Sequence, residues 1–179
     1  LKYCSKKFII WKQKLGIKPG PKDNITIPKP ITNSKFVLDC IRGLFDTDGS
    51  ISFKSRNKNK HYYPVIRFFS KSRKLVEQID DILKKEDIIS SLYYDEVRHD
   101  KRGFTTTGHN LFINGKNNLN KFMEKIGFSN VKHITKYQIW KINGTLKPYT
   151  TLKERLAMLQ NISRGGSVVY GENPCITER

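Results

Sequence analysis

Apolar residues recur along this chain in two rhythms. From Ser34, whose hydroxyl can cap a helix, to Thr47, the positions Val37, Leu38, Ile41, Leu44 and Phe45 fall at helical spacing. Ser50–Arg56 and Tyr62–Ser70 then alternate with a period of two, parted by the polar tip Asn57-Lys58-Asn59-Lys60, which predicts a long hairpin. Leu75–Lys85 returns to helix, with Leu75, Val76, Ile79, Ile82 and Leu83 on one stripe. A second hairpin follows in Ile89–His99, a turn at Asp100–Gly103, and Phe104–Ile113. Leu119–Ile126, His133–Ile142 and Leu152–Ile162 predict three more helices. The order predicts an α+β fold, αββαββα, built on an antiparallel sheet.

Upstream, Leu1–Leu15 carries Phe8, Ile9, Trp11 and Leu15 among lysines, as a short amphipathic helix would. Gly16–Thr32 holds Pro19, Pro21, Pro28 and Pro30, so it predicts an extended connector. The chain therefore divides into an N-terminal helix and connector (1–34), a core domain (35–145), and a C-terminal helix with a loose Gly-containing tail (146–179).

Charge changes the picture most. Lys plus Arg number 34 against 16 Asp plus Glu, a net +18 in 179 residues. That excess calls for a polyanion and argues against an acidic or purely apolar partner. With 37% hydrophobic and 11% aromatic residues, the chain is too apolar for a disordered basic tail. No run reaches the roughly 18 apolar residues of a membrane span, and the first residues do not read as an n-region followed by an h-region. Cys4, Cys40 and Cys175 match neither a disulfide framework nor a zinc spacing, so the expected setting is intracellular and reducing, cytoplasmic or an organelle matrix.

The richest stretch is Phe36–Ser50, FVLDCIRGLFDTDGS. Opposite its apolar face, Cys40, Gly43 and Thr47 form a face of small residues, which lets a second helix come close. Gly43 in mid-helix costs about 1 kcal/mol relative to Ala, so a packing reason is expected. Asp46 and Asp48 end the helix, where the dipole makes an acid unfavourable by roughly 0.3–1 kcal/mol. A hard divalent cation would neutralise such a concentration of charge. Read alone, Asp46-Thr47-Asp48-Gly49 is equally an ordinary turn leaving a helix.

Ile41-Arg42-Gly43-Leu44-Phe45-Asp46-Thr47-Asp48-Gly49 resembles the nine-residue signature of the LAGLIDADG homing endonucleases. The order helix, hairpin, helix, hairpin, helix matches that family from Phe36 to Asn143, and Ile126–His133 resembles its segment entering the late helices. Arg42 stands where the family has a small residue. The resemblance implies a sheet shaped as a DNA-binding saddle and a site-specific, homing-type DNA endonuclease. It would make a metal-dependent double-strand cut in a long, near-palindromic intron or intein insertion site. It further implies Mg²⁺, replaceable in binding by Mn²⁺ or Ca²⁺, on the Asp48 carboxylate and the Thr47 carbonyl. The active-site lysine falls best on Lys132, with Lys136 second, and Ser70 takes the place of a glutamine that positions water. One signature supplies one acid, so two strands require either a homodimer through Cys40, Gly43 and Thr47 or an N-terminal half preceding this chain. Leu1–Pro28 resembles the join between halves of two-signature members. The alternative within the same fold is an RNA maturase or a non-cleaving nucleic-acid-binding protein.

The hairpins supply the expected contacts with double-stranded DNA. Gly49–Val76 contains no acid at all. Ser52, Lys54 and Arg56 share one face of its first strand, Lys58 and Lys60 lie at the tip, and Tyr63 and Arg67 share parity on the second. Arg67 is suited to guanine, whose O6 and N7 match its fork. The neighbours Phe68 and Phe69 leave that strand's facing open by one residue. Arg98, Lys101 and Arg102 gather near the tip of the second hairpin.

Overall fold

The computed structural model describes residues 6–14, 16–17, 23–57, 60–99 and 103–165. The elements run α1 (Lys6–Lys14), α2 (Lys29–Thr32), α3 (Val37–Asp48), β1 (Gly49–Asn57), β2 (Lys60–Ser70), α4 (Arg73–Lys85), β3 (Ser90–His99), β4 (Thr105–Asn114), α5 (Lys116–Lys125), α6 (Val131–Asn143) and α7 (Leu152–Gly165). The α+β class and the expected αββαββα order are both present.

The two hairpins join into one antiparallel sheet of order β1-β2-β4-β3. All its pairings are antiparallel, so the two long strands β2 and β4 lie side by side at its centre, with Ile66 opposite Ile113 and Phe68 opposite Leu111. Alternation then sends Ile51, Phe53, Ile66, Phe68, Leu111 and Ile113 to one face, where they are buried under α3, α4, α5 and α6. Among the described residues no helix is seen to pack on the opposite face.

α3 lies on the covered face because Ile41 and Phe45 are fully buried there. The Phe45 ring meets Phe68 at 5.3 Å and Phe122 at 5.0 Å, edge-on to the latter. α6 covers β1, with Trp140 stacked on Phe53 at 5.2 Å and its indole N–H donating to the Tyr62 carbonyl. α7 docks on α6 through Arg155, which is buried and donates from Nε to Thr135 Oγ1 at 3.0 Å.

Two local expectations change. The helix opens at Val37 with Phe36 at its N-cap, while Ser34 Oγ donates to the Ile31 carbonyl in the turn before it. The proline-rich connector is extended only in part. Ile25–Ile27 seats against α4, where Ile27 exchanges two hydrogen bonds with the Gln78 amide and Ser72 Oγ donates to the Ile25 carbonyl. It ends in the short α2, with Pro30 in the first turn, where a missing N–H costs nothing.

Candidate nucleic-acid interface and metal-binding corner

The helix-free face of the sheet is basic and aromatic together. Lys54 Nζ lies 5.9 Å from the centre of the Phe112 ring, and the Arg67 guanidinium 5.4 Å from the same ring. Arg56 stacks on Tyr63 and Arg98 on Phe69, each at 3.6 Å. These contacts, with the register, settle the facing of β2. Phe68 points into the core and Phe69 outward, so Tyr63 and Arg67 share the open face with Ser52, Lys54 and Arg56. Ser52, Lys54, Arg56 and Lys60 are exposed. Lys58, Lys101 and Arg102 lie outside the described residues, as do Cys4 and Cys175.

Arg67 is not bare on this face. Its Nε donates to Asn110 Oδ1 at 2.7 Å and a terminal nitrogen to Glu96 Oε1 at 2.8 Å. Burial pushes the Glu96 carboxyl up, but the hydrogen bond from Arg98 and the charge of Arg67 prevail and hold it below the usual range. Sequence reasoning missed Glu96 and Asn110. Between Tyr93 and Glu96 the register shifts by one residue, with Asp95 at a φ of 56°. That bulge reverses the parity of everything after it.

At one end of the same sheet, α3 runs into β1. Gly49 is required at the junction, because a Cβ there would lie 2.4 Å from the Phe45 carbonyl oxygen. The two carboxylates before it have different fates. Asp46 accepts backbone N–H groups of Ser129 and Asn130 at 2.9–3.1 Å, at the start of α6, and its own carbonyl accepts Asn130 Nδ2 at 2.9 Å. An acid at the wrong end of α3 is thus at the right end of α6. Asp48 is exposed and has no hydrogen-bond or ion-pair partner among the described residues. The expected concentration of unneutralised charge therefore reduces to Asp48 alone. The Thr47 carbonyl is among the last carbonyls of α3, which have no partner within the helix. A free carboxylate beside a free carbonyl is a hard-oxygen pair suited to Mg²⁺ or Ca²⁺, but it is half a coordination shell or less. Among the described residues no group of three or more His, Cys, Asp or Glu could hold a metal by itself.

The lysines of α6 separate likewise. Lys132 is exposed, with no side-chain partner among the described residues. Lys136 is half-buried, and its ammonium donates to the Ile51 carbonyl at 3.0 Å, on the strand that Asp48 leads into. Burial, and then the charge of Arg155, lower its pKa below the ordinary lysine value. One turn earlier, His133 is buried against the Phe128 ring at 4.9 Å, and its Nδ1 has no hydrogen-bond partner. Burial, then the charge of Lys136, lower its pKa against the opposing influence of Asp46. Ser70 lies on the helix side of the sheet, its Oγ accepting the Ser72 N–H at 3.1 Å in the turn into α4.

Among the described residues the small face of α3 is open at Gly43 and Thr47, while Cys40 packs in part against the core. A Cβ at Gly43 would meet nothing within 4 Å, Thr47 is exposed and Cys40 half-buried. Thr47 Oγ1 turns back to the Gly43 and Leu44 carbonyls, which keeps the face smooth. Arg42 does not crowd it, because its Nε donates to the Ile126 carbonyl at 2.6 Å and a terminal nitrogen pairs with Asp39.

The family model for a LAGLIDADG-like domain matches residues 35–127. The replication factor C small subunit of Methanocaldococcus jannaschii is 26% identical over 159 residues. That match covers 88% of this chain and spans only 8% of the curated relative's length. No helix among the described residues is long and apolar enough to cross a membrane.

Proposed function

Because the chain belongs to the LAGLIDADG-like domain family, whose members are nucleic-acid endonucleases or maturases and generally use a divalent metal, we propose that it is a site-specific DNA endonuclease of the homing type. The observation that carries this reading is Asp48. It is an exposed carboxylate with no partner among the described residues, at the end of a helix that leads into the first strand of a basic, aromatic sheet face. A binding module without cleavage has no use for an uncompensated acid where phosphates must approach.

In this reading the open face lies along the duplex in the major groove. Ser52, Lys54, Arg56, Tyr63, Arg67 and Arg98 meet bases and phosphates, as do Lys58, Lys60, Lys101 and Arg102. Asp48 and the Thr47 carbonyl hold Mg²⁺, which when bound supplies an activated water and charge neutralisation at the scissile phosphate. The acid of a second signature would add a further oxygen ligand. It comes from a second copy of this chain across Cys40, Gly43 and Thr47, or from a half that precedes residue 1. Lys136 is better placed than Lys132 to stabilise charge developing on the phosphate, since its ammonium is held beside β1 by Ile51. Ser70, occupied in the turn into α4, is left with a lesser part in positioning water. The core unit is 35–145, carrying the extensions 1–34 and 146–179.

The test is cleavage of duplexes that the protein itself selects from a randomised pool. Cutting of both strands only when Mg²⁺ is present supports the proposal. Tight, sequence-selective binding with no cutting in Mg²⁺ or Mn²⁺ would move the chain to the non-cleaving reading.

A further inference from the structure

On the open face, four side chains from three strands close into a ring. Arg67 donates from Nε to Asn110 Oδ1 and from a terminal nitrogen to Glu96 Oε1. Arg98 does the reverse, from Nε to Glu96 Oε1 at 3.1 Å and from a terminal nitrogen to Asn110 Oδ1 at 2.6 Å. Asn110 Nδ2 donates to Glu96 Oε2, which ties the two acceptors together. The Asn110 amide can point only one way, because its flipped form would turn an NH₂ group on two guanidiniums. Asn110 is fully buried, so it is a fixed post, while Arg67 and Arg98 keep about a third of their side-chain surface exposed.

The ring is built by the backbone beneath it. The bulge at Asp95 turns Glu96 and Arg98 outward, where unbroken alternation from Tyr93 would bury them. Opposite Glu96 stands Gly108, where a Cβ would lie 2.4 Å from the Phe69 ring. That glycine admits the ring on which Arg98 stacks at 3.6 Å.

Both arginines are held by the same edge, Nε with one terminal nitrogen. Among the described residues the end edge of each, one N–H from either terminal nitrogen, has no partner and forms a parallel fork. Guanine is the base that offers two adjacent acceptors in the major groove. We propose that Glu96 and Asn110 are positioning residues that aim Arg67 and Arg98, end-on, at two guanines of the target duplex. This rests on the duplex-reading function proposed above and goes beyond it by naming the base and the residues that set it. The carboxylate also screens the pair, so two like charges can stand side by side on the groove face.

The experiment is selection of full-length protein against a duplex pool with a randomised central region, without Mg²⁺, followed by competition binding on the enriched sites. The wild type is expected to enrich guanine at two positions. Arg67→Lys and Arg98→Lys, which keep charge but lose the fork, should each lose about 5- to 150-fold of discrimination at one of them. Glu96→Gln, assayed well below its melting temperature, should relax both positions together while strengthening binding to unrelated duplexes. If Glu96→Gln keeps both guanine preferences, the positioning role is overturned. If Arg67→Lys and Arg98→Lys weaken all sequences alike, the forks hold phosphates and the base assignment falls. A wild type that binds duplex without enriching any sequence overturns the proposed function, and this inference with it.

Discussion

Asp46 and Asn130 hold each other at two points. The Asn130 N–H donates to Asp46 Oδ1 at 3.0 Å, and Asn130 Nδ2 donates to the Asp46 carbonyl at 2.9 Å. Asn130 meanwhile caps α6, its Oδ1 accepting the Lys132 N–H at 3.0 Å. One side chain thus joins the end of α3 to the start of α6, the two helices that bear Asp48 and Lys136.

Asp46→Asn should therefore destabilise the chain by about 1.5–3 kcal/mol, the worth of hydrogen bonds to a charged group. For a chain of this size that is a fall in Tm of roughly 3–12 °C. Its new NH₂ would face amide donors it cannot satisfy. Thermal unfolding at neutral pH checks the value, and an unchanged Tm would mean that the α3–α6 joint is held elsewhere.

Asp48→Asn should do the opposite to stability and far more to activity. It removes an acid from the end of α3, where it is unfavourable by about 0.3–1 kcal/mol, so Tm should stay level or rise slightly. Mg²⁺-dependent cutting should vanish, while duplex binding is kept or tightened. Full cleavage by this variant would remove Asp48 from the metal site.

The contrast between these two acids marks what was legible in the sequence. The helices and strands could be read because Ile41 and Phe45, or Ile66 and Phe68, repeat at the period of their element. The fate of Asp46 could not, because its partners lie more than eighty residues away, at Ser129 and Asn130. The outward turn of Glu96 was equally hidden. It depends on Asp95 adopting a left-handed backbone, a conformation that aspartate tolerates but does not announce. The facing of Phe68 and Phe69 was undecidable locally and is settled by the pairing of Phe68 with Leu111.

Gly43→Leu should leave the isolated fold intact, since a Cβ there meets nothing within 4 Å and leucine is the better helix former. If two copies pair through this face, the variant should sediment as a monomer and lose double-strand cutting, with an unchanged far-UV circular dichroism spectrum. A variant that remains a dimer and cuts normally would place the contact elsewhere.

His133 should make the fold acid-sensitive below neutrality. Burial, then the charge of Lys136, depress its folded pKa below the ordinary value of about 6.5. The unfolded chain then binds the proton more readily than the folded one between those two values. Stability contributed by the neutral ring is full above about pH 6.5 and is lost as pH falls toward the folded pKa. Melting temperatures between pH 7.5 and 5.5 should fall more steeply for the wild type than for His133→Leu, which cannot charge. Parallel slopes would assign the acid sensitivity to other groups.

Lys136 and Lys132 offer the sharpest separation of binding from chemistry. Lys136 is half-buried and anchored on the Ile51 carbonyl, so its ammonium cannot range over the groove, whereas Lys132 is exposed. Lys136→Met keeps the apolar stem and removes the charge. Loss of one prepositioned donor to a developing oxyanion is worth about 10²–10³-fold in rate. Single-turnover cleavage should fall by that factor, with duplex affinity and its salt slope nearly unchanged. Lys132→Met should instead leave the cleavage step within about tenfold and, if Lys132 meets a phosphate, flatten the slope of log K against log salt by about 0.9. The pH profile adds a second check. Burial and the charge of Arg155 lower the Lys136 pKa, so its ammonium is lost at a pH below the ordinary lysine range. Wild-type cleavage should decline early on the alkaline side, and Lys136→Met should lack that limb. If Lys132→Met carries the large rate loss and erases the alkaline limb instead, the exposed lysine is the catalytic one.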